Sequence, residues 1–119
     1  MTKGMIEARI SESVAKFEQN HMGRGPARIK TRIMEDMVII RLVGFLTPAE
    51  KKMACDSSGI RTIKQTRMLL FEHSIDEFKG IFEGILEAGI ISVHSDISTV
   101  TGEKVIIVVF DTTIEEQFG

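Results

Sequence analysis

Tryptophan and tyrosine are absent from the 119 residues, cysteine occurs once and proline twice. Each shortage excludes something. Without Trp or Tyr, a stacking platform for nucleic acid would rest on seven Phe alone. The lone Cys55 rules out an internal disulfide framework and a cysteine-based zinc site. Long apolar runs are missing as well. The longest, Val105 to Phe110, falls far short of the roughly 20 residues that a membrane-spanning helix needs. Met1 to Ile10 mixes charged with apolar residues and has no signal-peptide core. The expectation is a cytoplasmic protein with reduced Cys55 and no direct membrane insertion. An excess of one charge sign is also lacking. Fifteen basic against seventeen acidic residues leave a net charge of -2, which argues against broad electrostatic binding of nucleic acid.

What is present fits one folded domain: 43% hydrophobic and 27% charged residues over a length suited to a single core. Residues 5–21 read as a helix, because Ile6, Ile10, Val14, Phe17 and His21 recur at spacings of four and three. Gly23 then suits a left-handed cap, and Pro26 ends regular structure. Residues 27–44 read as a hairpin. Ile29, Thr31 and Ile33 alternate with Arg28, Lys30 and Arg32, and a two-residue turn at Glu35-Asp36 pairs Met34 with Met37 and Lys30 with Arg41. Val38, Ile40 and Leu42 then join the core face, and Arg41, Ile39 and Val43 the opposite one.

Thr47-Pro48-Ala49-Glu50 is a helix start with a capping box. Helical spacing continues over 48–88 with a break near 56–59, and Gly89 closes it. A straight helix over 60–88 would measure about 44 Å, against a domain diameter of roughly 35 Å. It must project, bend near Ser74, or pack on another subunit; the last is the expectation. Residues 90–110 form a second hairpin, and 112–119 a loose tail or frayed helix. The expected fold is α+β: two layers in the order helix, hairpin, helix, hairpin, with helices on one face of a four-stranded, mainly antiparallel sheet. Val105 to Phe110 is apolar at every position, as in strands covered on both faces. One helical layer covers one face, so a second copy is expected on the other: a homodimer.

Three groups could carry chemistry. Gly23-Arg24-Gly25-Pro26 lets backbone amides approach an anion, although it precedes a strand and does not match a phosphate-binding loop. Its plain role is a helix cap. Val93-His94-Ser95-Asp96-Ile97 holds histidine, serine and aspartate together. Strand alternation puts His94 and Asp96 on one face and Ser95 on the other, against a triad. His94 with Asp96 could still be an oriented base, or the two could pair with Arg28, Lys30, Arg32 or Arg41 across the sheet. Those four cations, beside Ile39 and Val43, make a mixed basic and apolar face that looks more like an interface than open solvent. His21, His73 and His94 lack metal-ligand spacing, and no cofactor is expected.

Gly23-Arg24-Gly25-Pro26, Asp36 to Leu42, Gly44 to Lys51, and Val93 to Thr99 with Thr101-Gly102-Glu103 occur together, in this order, in a small bacterial family. Over about residues 5–111 the chain resembles the MpsC family, described as part of a Na⁺-translocating, membrane-potential-generating system and also as a domain of unknown function. The resemblance implies association with membrane proteins for cation or inorganic-carbon transport. It carries no catalytic residues over. It marks Gly23, Arg24, Gly25, Pro26, Arg41, His94, Ser95 and Asp96 as functional surface.

Three functions follow as expectations. The leading one is a non-enzymatic accessory or regulatory protein, docking on the cytoplasmic part of a transport complex through the basic sheet face. The alternative is a small-anion or nucleotide sensor, with Arg24 and the glycine amides holding the ligand near Arg41 and His94. The third is a small enzyme using His94 and Asp96.

Overall fold

The computed structural model describes residues 1–118. The elements are α1 (Lys3–Met22), β1 (Arg28–Met34), β2 (Met37–Val43), α2 (Pro48–Met53), α3 (Ser57–His73), α4 (Ile75–Glu83), β3 (Ile90–Ser98), β4 (Glu103–Phe110) and a 3₁₀ helix at Ile114–Phe118. The fold is α+β. Four strands form one antiparallel sheet in the order β1-β2-β4-β3, and the helices cover one of its faces.

Local chemistry sets each boundary. The Thr2 hydroxyl accepts from the Met5 amide at 3.2 Å and starts α1, and Gly23 ends it at φ 83°. The stripe Ile6, Ile10, Val14 and Phe17 is buried against the sheet. Met34 faces Met37, Arg32 faces Ile39 and Lys30 faces Arg41, the register that alternation and a two-residue turn dictate. Glu35 holds that turn at φ 56°, unusual for a side chain other than glycine. The 3₁₀ helix stabilises it: the Glu35 amide donates to the Glu115 carboxylate, and its carbonyl accepts from the Glu115 amide at 3.1 Å. Residues 112–118 are therefore docked rather than a loose tail, with Ile114 buried and Glu115 bonded to Lys3 at 2.9 Å.

The second helical region departs further from the periodic pattern. It breaks at Ser74 and ends at Glu83, with Gly84 rather than Gly89 at its C-terminus. Apolar spacing runs unchanged through the break, so periodicity could not reveal it. The signal lay in Ser74-Ile75-Asp76-Glu77, a helix-start pattern with acids in the first turn. The bend answers the length problem within one chain. It also seats Phe78 and Phe82 over the sheet. Phe17, Phe71, Phe78, Phe82 and Phe110 form a chain of tilted ring contacts with centroids 5.0–6.2 Å apart.

The break between α2 and α3 is shorter than expected. Asp56 caps α3 through the Gly59 amide at 2.7 Å, so Gly59 lies inside the helix. A Cβ there would sit 1.6 Å from the Met53 carbonyl oxygen. Gly59→Ala should force α2 and α3 apart and cost upwards of about 2 kcal/mol. Thermal melts of variant and wild type check this; equal midpoints would show that the two helices can separate freely.

Candidate functional site

The sheet has a second face, and among the described residues no element packs over it. Alternation sends Val38, Ile40, Leu42, Ile106, Val108 and Phe110 into the core, where all are buried. Their neighbours point the other way. Ile39, Ile107 and His94 lie in one row across β2, β4 and β3, and Arg41, Val105 and Asp96 in the next. Ile39, Val43, Val105, Ile107 and Val109 are only half-buried. Arg28, Lys30 and Arg32 project from β1 beside this strip and are exposed. Arg28, Lys30 and Arg41, with Ile29 and Val43, border an open depression of about 340 Å³. The central strand thus has a dry face and a wet one. The second copy expected over Val105 to Phe110 has no counterpart within one chain.

The residues singled out in the sequence do not converge on one cleft. Arg24 is exposed in the loop after α1, and its guanidinium donates to the Leu46 carbonyl at 2.9 Å. That bond ties the Gly23–Pro26 loop to the segment before α2. Gly23 acts as the helix cap, and Gly25 packs near the Ala15 carbonyl. Arg41 pairs with Glu103 of β4 at 2.7 Å. The His94 ring meets the Ser92 hydroxyl at 3.1 Å. Asp96 accepts from the Ile97 amide at 2.8 Å and faces Lys64 of α3 at 3.4 Å. The Ile97 amide first, then Lys64, holds its carboxyl below the usual range. His94 and Asp96 are thus bonded to other partners rather than to each other. Neither takes the cross-sheet ion pair with Arg28, Lys30, Arg32 or Arg41. Ser95 lies on the opposite face, opposite Ile106. His94 and Arg41 stand two strands and one row apart, roughly 12 Å.

Sequence reasoning missed the most deeply placed charges, which lie under the sheet. Lys104 and Glu18 form an ion pair of 2.9 Å with both side chains 2% exposed. The Lys104 ammonium also lies 4.4 Å from the Phe71 ring centroid. Burial pushes Lys104 down from the ordinary lysine range, and Glu18 opposes that shift. Arg67 donates twice to Glu50, at 2.7 and 2.8 Å, and stacks 4.7 Å over the Phe45 ring. Arg67 first of all holds the Glu50 carboxyl below its usual range. Glu50 also closes the capping box of α2 with Thr47. A signal existed for each cation. Lys104 is in phase with Ile106, Val108 and Phe110, and Arg67 sits in the apolar stripe Ile60, Ile63, Phe71. Among the described residues no buried side-chain polar atom lacks a partner.

Among the described residues no cluster of His, Cys, Asp or Glu could hold a metal ion, and no helix is long and apolar enough to cross a membrane. The family model described as "Na+-translocating membrane potential-generating system (MpsC)" matches residues 2–112. The uncharacterized protein YbcI of Bacillus subtilis (strain 168) is 42% identical over 106 residues, 89% of this chain and 86% of that protein. The uncharacterized protein YrhF of the same organism is 28% identical over 110 residues, 91% of this chain and 89% of its own length. No solved structure matches the chain.

Proposed function

The chain belongs to the MpsC family, and from that premise we propose that it is a non-catalytic accessory protein that docks on a membrane transport component. The observation that carries this reading is the uncovered sheet face. An apolar strip through Ile39, Ile107 and Val109 lies beside the cations Arg28, Lys30 and Arg32. Apolar centre and polar rim are the anatomy of a protein interface. The partner that fits is an acidic, amphipathic segment on the cytoplasmic side of a cation-transporting assembly. Cations at the rim would steer its approach, and the strip would supply the buried area. The separated positions of Arg24, Arg41 and His94 give a shared small-anion pocket no support.

Ile107→Lys tests this reading, since it charges the centre of the strip and leaves the core face intact. Capture from detergent-solubilised membranes of the producing cell should enrich cation-transport components with the wild type and not with the variant. Equal capture by both proteins, with unchanged melting of the variant, sinks the proposal.

A further inference from the structure

β3 is an edge strand with no strand on its outer side, where the Asp96 side chain reaches across to Lys64 of α3. Backbone groups of an antiparallel strand alternate between its two neighbours. Ser98 turns toward β4, because its carbonyl accepts the Gly102 amide at 2.9 Å within the β3–β4 turn. Ile97 turns outward, and its amide is taken up by the Asp96 side chain for want of a strand partner. Val93 and Ser95 share that outward phase. The sequence of this edge reads Val93-His94-Ser95-Asp96-Ile97 in either direction as apolar, polar ring or acid, serine, acid or polar ring, apolar.

We infer that two copies of this chain join β3 to β3 in antiparallel fashion, with the two-fold axis at Ser95. This goes beyond docking on the open face and uses a different surface. In that register Ser95 meets its own copy, and Val93 meets Ile97 of the second copy on the helix side. His94 meets the second copy's Asp96 on the open side, twice by symmetry. Ser95 and the Val93–Ile97 positions are the hydrogen-bonded pairs, so His94 and Asp96 fall at the non-hydrogen-bonded pair, where side chains stand closest. The imidazole can donate to the carboxylate in either protonation state. Shifting the axis by one residue places His94 against its own copy and Asp96 against Ser92, and the complementarity is lost. The Ile97 amide passes from Asp96 to the second copy's backbone, which frees Asp96 to face His94.

The neighbouring groove fits the same occupant. Met68 and Phe71 of α3 border an opening of about 440 Å³ with Val93, His94 and Ser95. Met68, Leu69 and Leu70 are 55%, 54% and 40% exposed on that helix. A second copy continuing the sheet would bring its own α3 alongside this apolar rim. The product is an eight-stranded sheet with one continuous open face. Self-pairing edges of this kind form isologous, closed dimers.

Sedimentation of the full chain over a wide concentration range tests this. The wild type should run as a dimer. His94→Asp opposes two carboxylates twice and should weaken association about tenfold or more. The double variant His94→Asp with Asp96→His restores both cross-pairs and should restore the dimer, although it loses Lys64 as a partner of residue 96. Ser95→Pro removes an outward amide that β4 does not use, so the edge tolerates it, and the dimer should be lost. A monomeric wild type overturns the inference and leaves the edge to some other strand. So does a double variant no tighter than His94→Asp. A dimer that Ile107→Lys breaks and Ser95→Pro leaves intact places the interface on the open face and also overturns it. Partner capture lost in an Ile107→Lys protein that remains dimeric keeps the two proposals separate.

Discussion

Glu18→Leu should cost about 3–5 kcal/mol of folding stability, the loss typical when one member of a buried ion pair is removed. The reason is placement. Lys104 is 2% exposed, and among the described residues Glu18 is its one carboxylate partner, 2.9 Å away. Without it the ammonium keeps only the Phe71 ring face. A chain of this size should lose about 10–20 °C in melting temperature. The companion experiment is the double variant Glu18→Leu with Lys104→Leu. Taking both charges out of water is expensive, so an apolar pair of similar volume should recover most of the loss. Denaturant melts of wild type, single and double variants check both parts. A single variant within about 1 kcal/mol of wild type would mean that Lys104 finds water or loses its proton at little cost. The ion pair would then have no part in holding α1 to β4.

Glu50→Ala should be the second large effect, about 3–5 kcal/mol at neutral pH by the same reasoning. It removes both hydrogen bonds to the buried Arg67 and half of the Thr47 capping box. This pair carries a pH signature. The Glu50 carboxyl is held below the ordinary value of 4.5 in the folded state, chiefly by Arg67. A lowered carboxyl contributes stability that is present above pH 4.5 and is lost as pH falls through the folded-state value. The difference in stability between wild type and Glu50→Ala should therefore be full at neutral pH and shrink steadily into acid. Urea melts at a series of pH values measure it. A difference that stays constant into strong acid would show that the effect does not come from the ionised Glu50 carboxylate, in the Arg67 pair or in the cap.

Much of this architecture was legible in the residues. Alternation in Arg28 to Met34 and Met37 to Val43 set the faces and the register, because a slip by one residue would turn Ile33 and Val38 into water. Thr47-Pro48-Ala49-Glu50 announced α2 through a capping box that the structure contains. The family was legible too, in four short motifs in fixed order. Other features were hidden for physical reasons. The break at Ser74 leaves the apolar phase unchanged, so only the excess length of the helical segment and the helix-start pattern around Ser74 pointed to it. The ion pairs join residues far apart in the chain, Glu18 with Lys104 and Glu50 with Arg67. Nothing local tells a buried lysine from a solvated one except its phase within the strand. The surroundings of His94 and Asp96 were also beyond alternation. Asp96 reaches around the sheet edge to Lys64, a contact that depends on where α3 passes.

The Phe chain and α2 answer to different forces. Aromatic contacts run from Phe17 to Phe110 and join α1, α3, α4 and β4, with the buried Lys104 ammonium set over the Phe71 ring. α2 buries none of its own residues and is fastened by the Glu50 carboxylate and the Thr47 cap. Acid therefore loosens this short strap by protonating Glu50, whereas the ring-to-ring contacts themselves contain nothing that titrates.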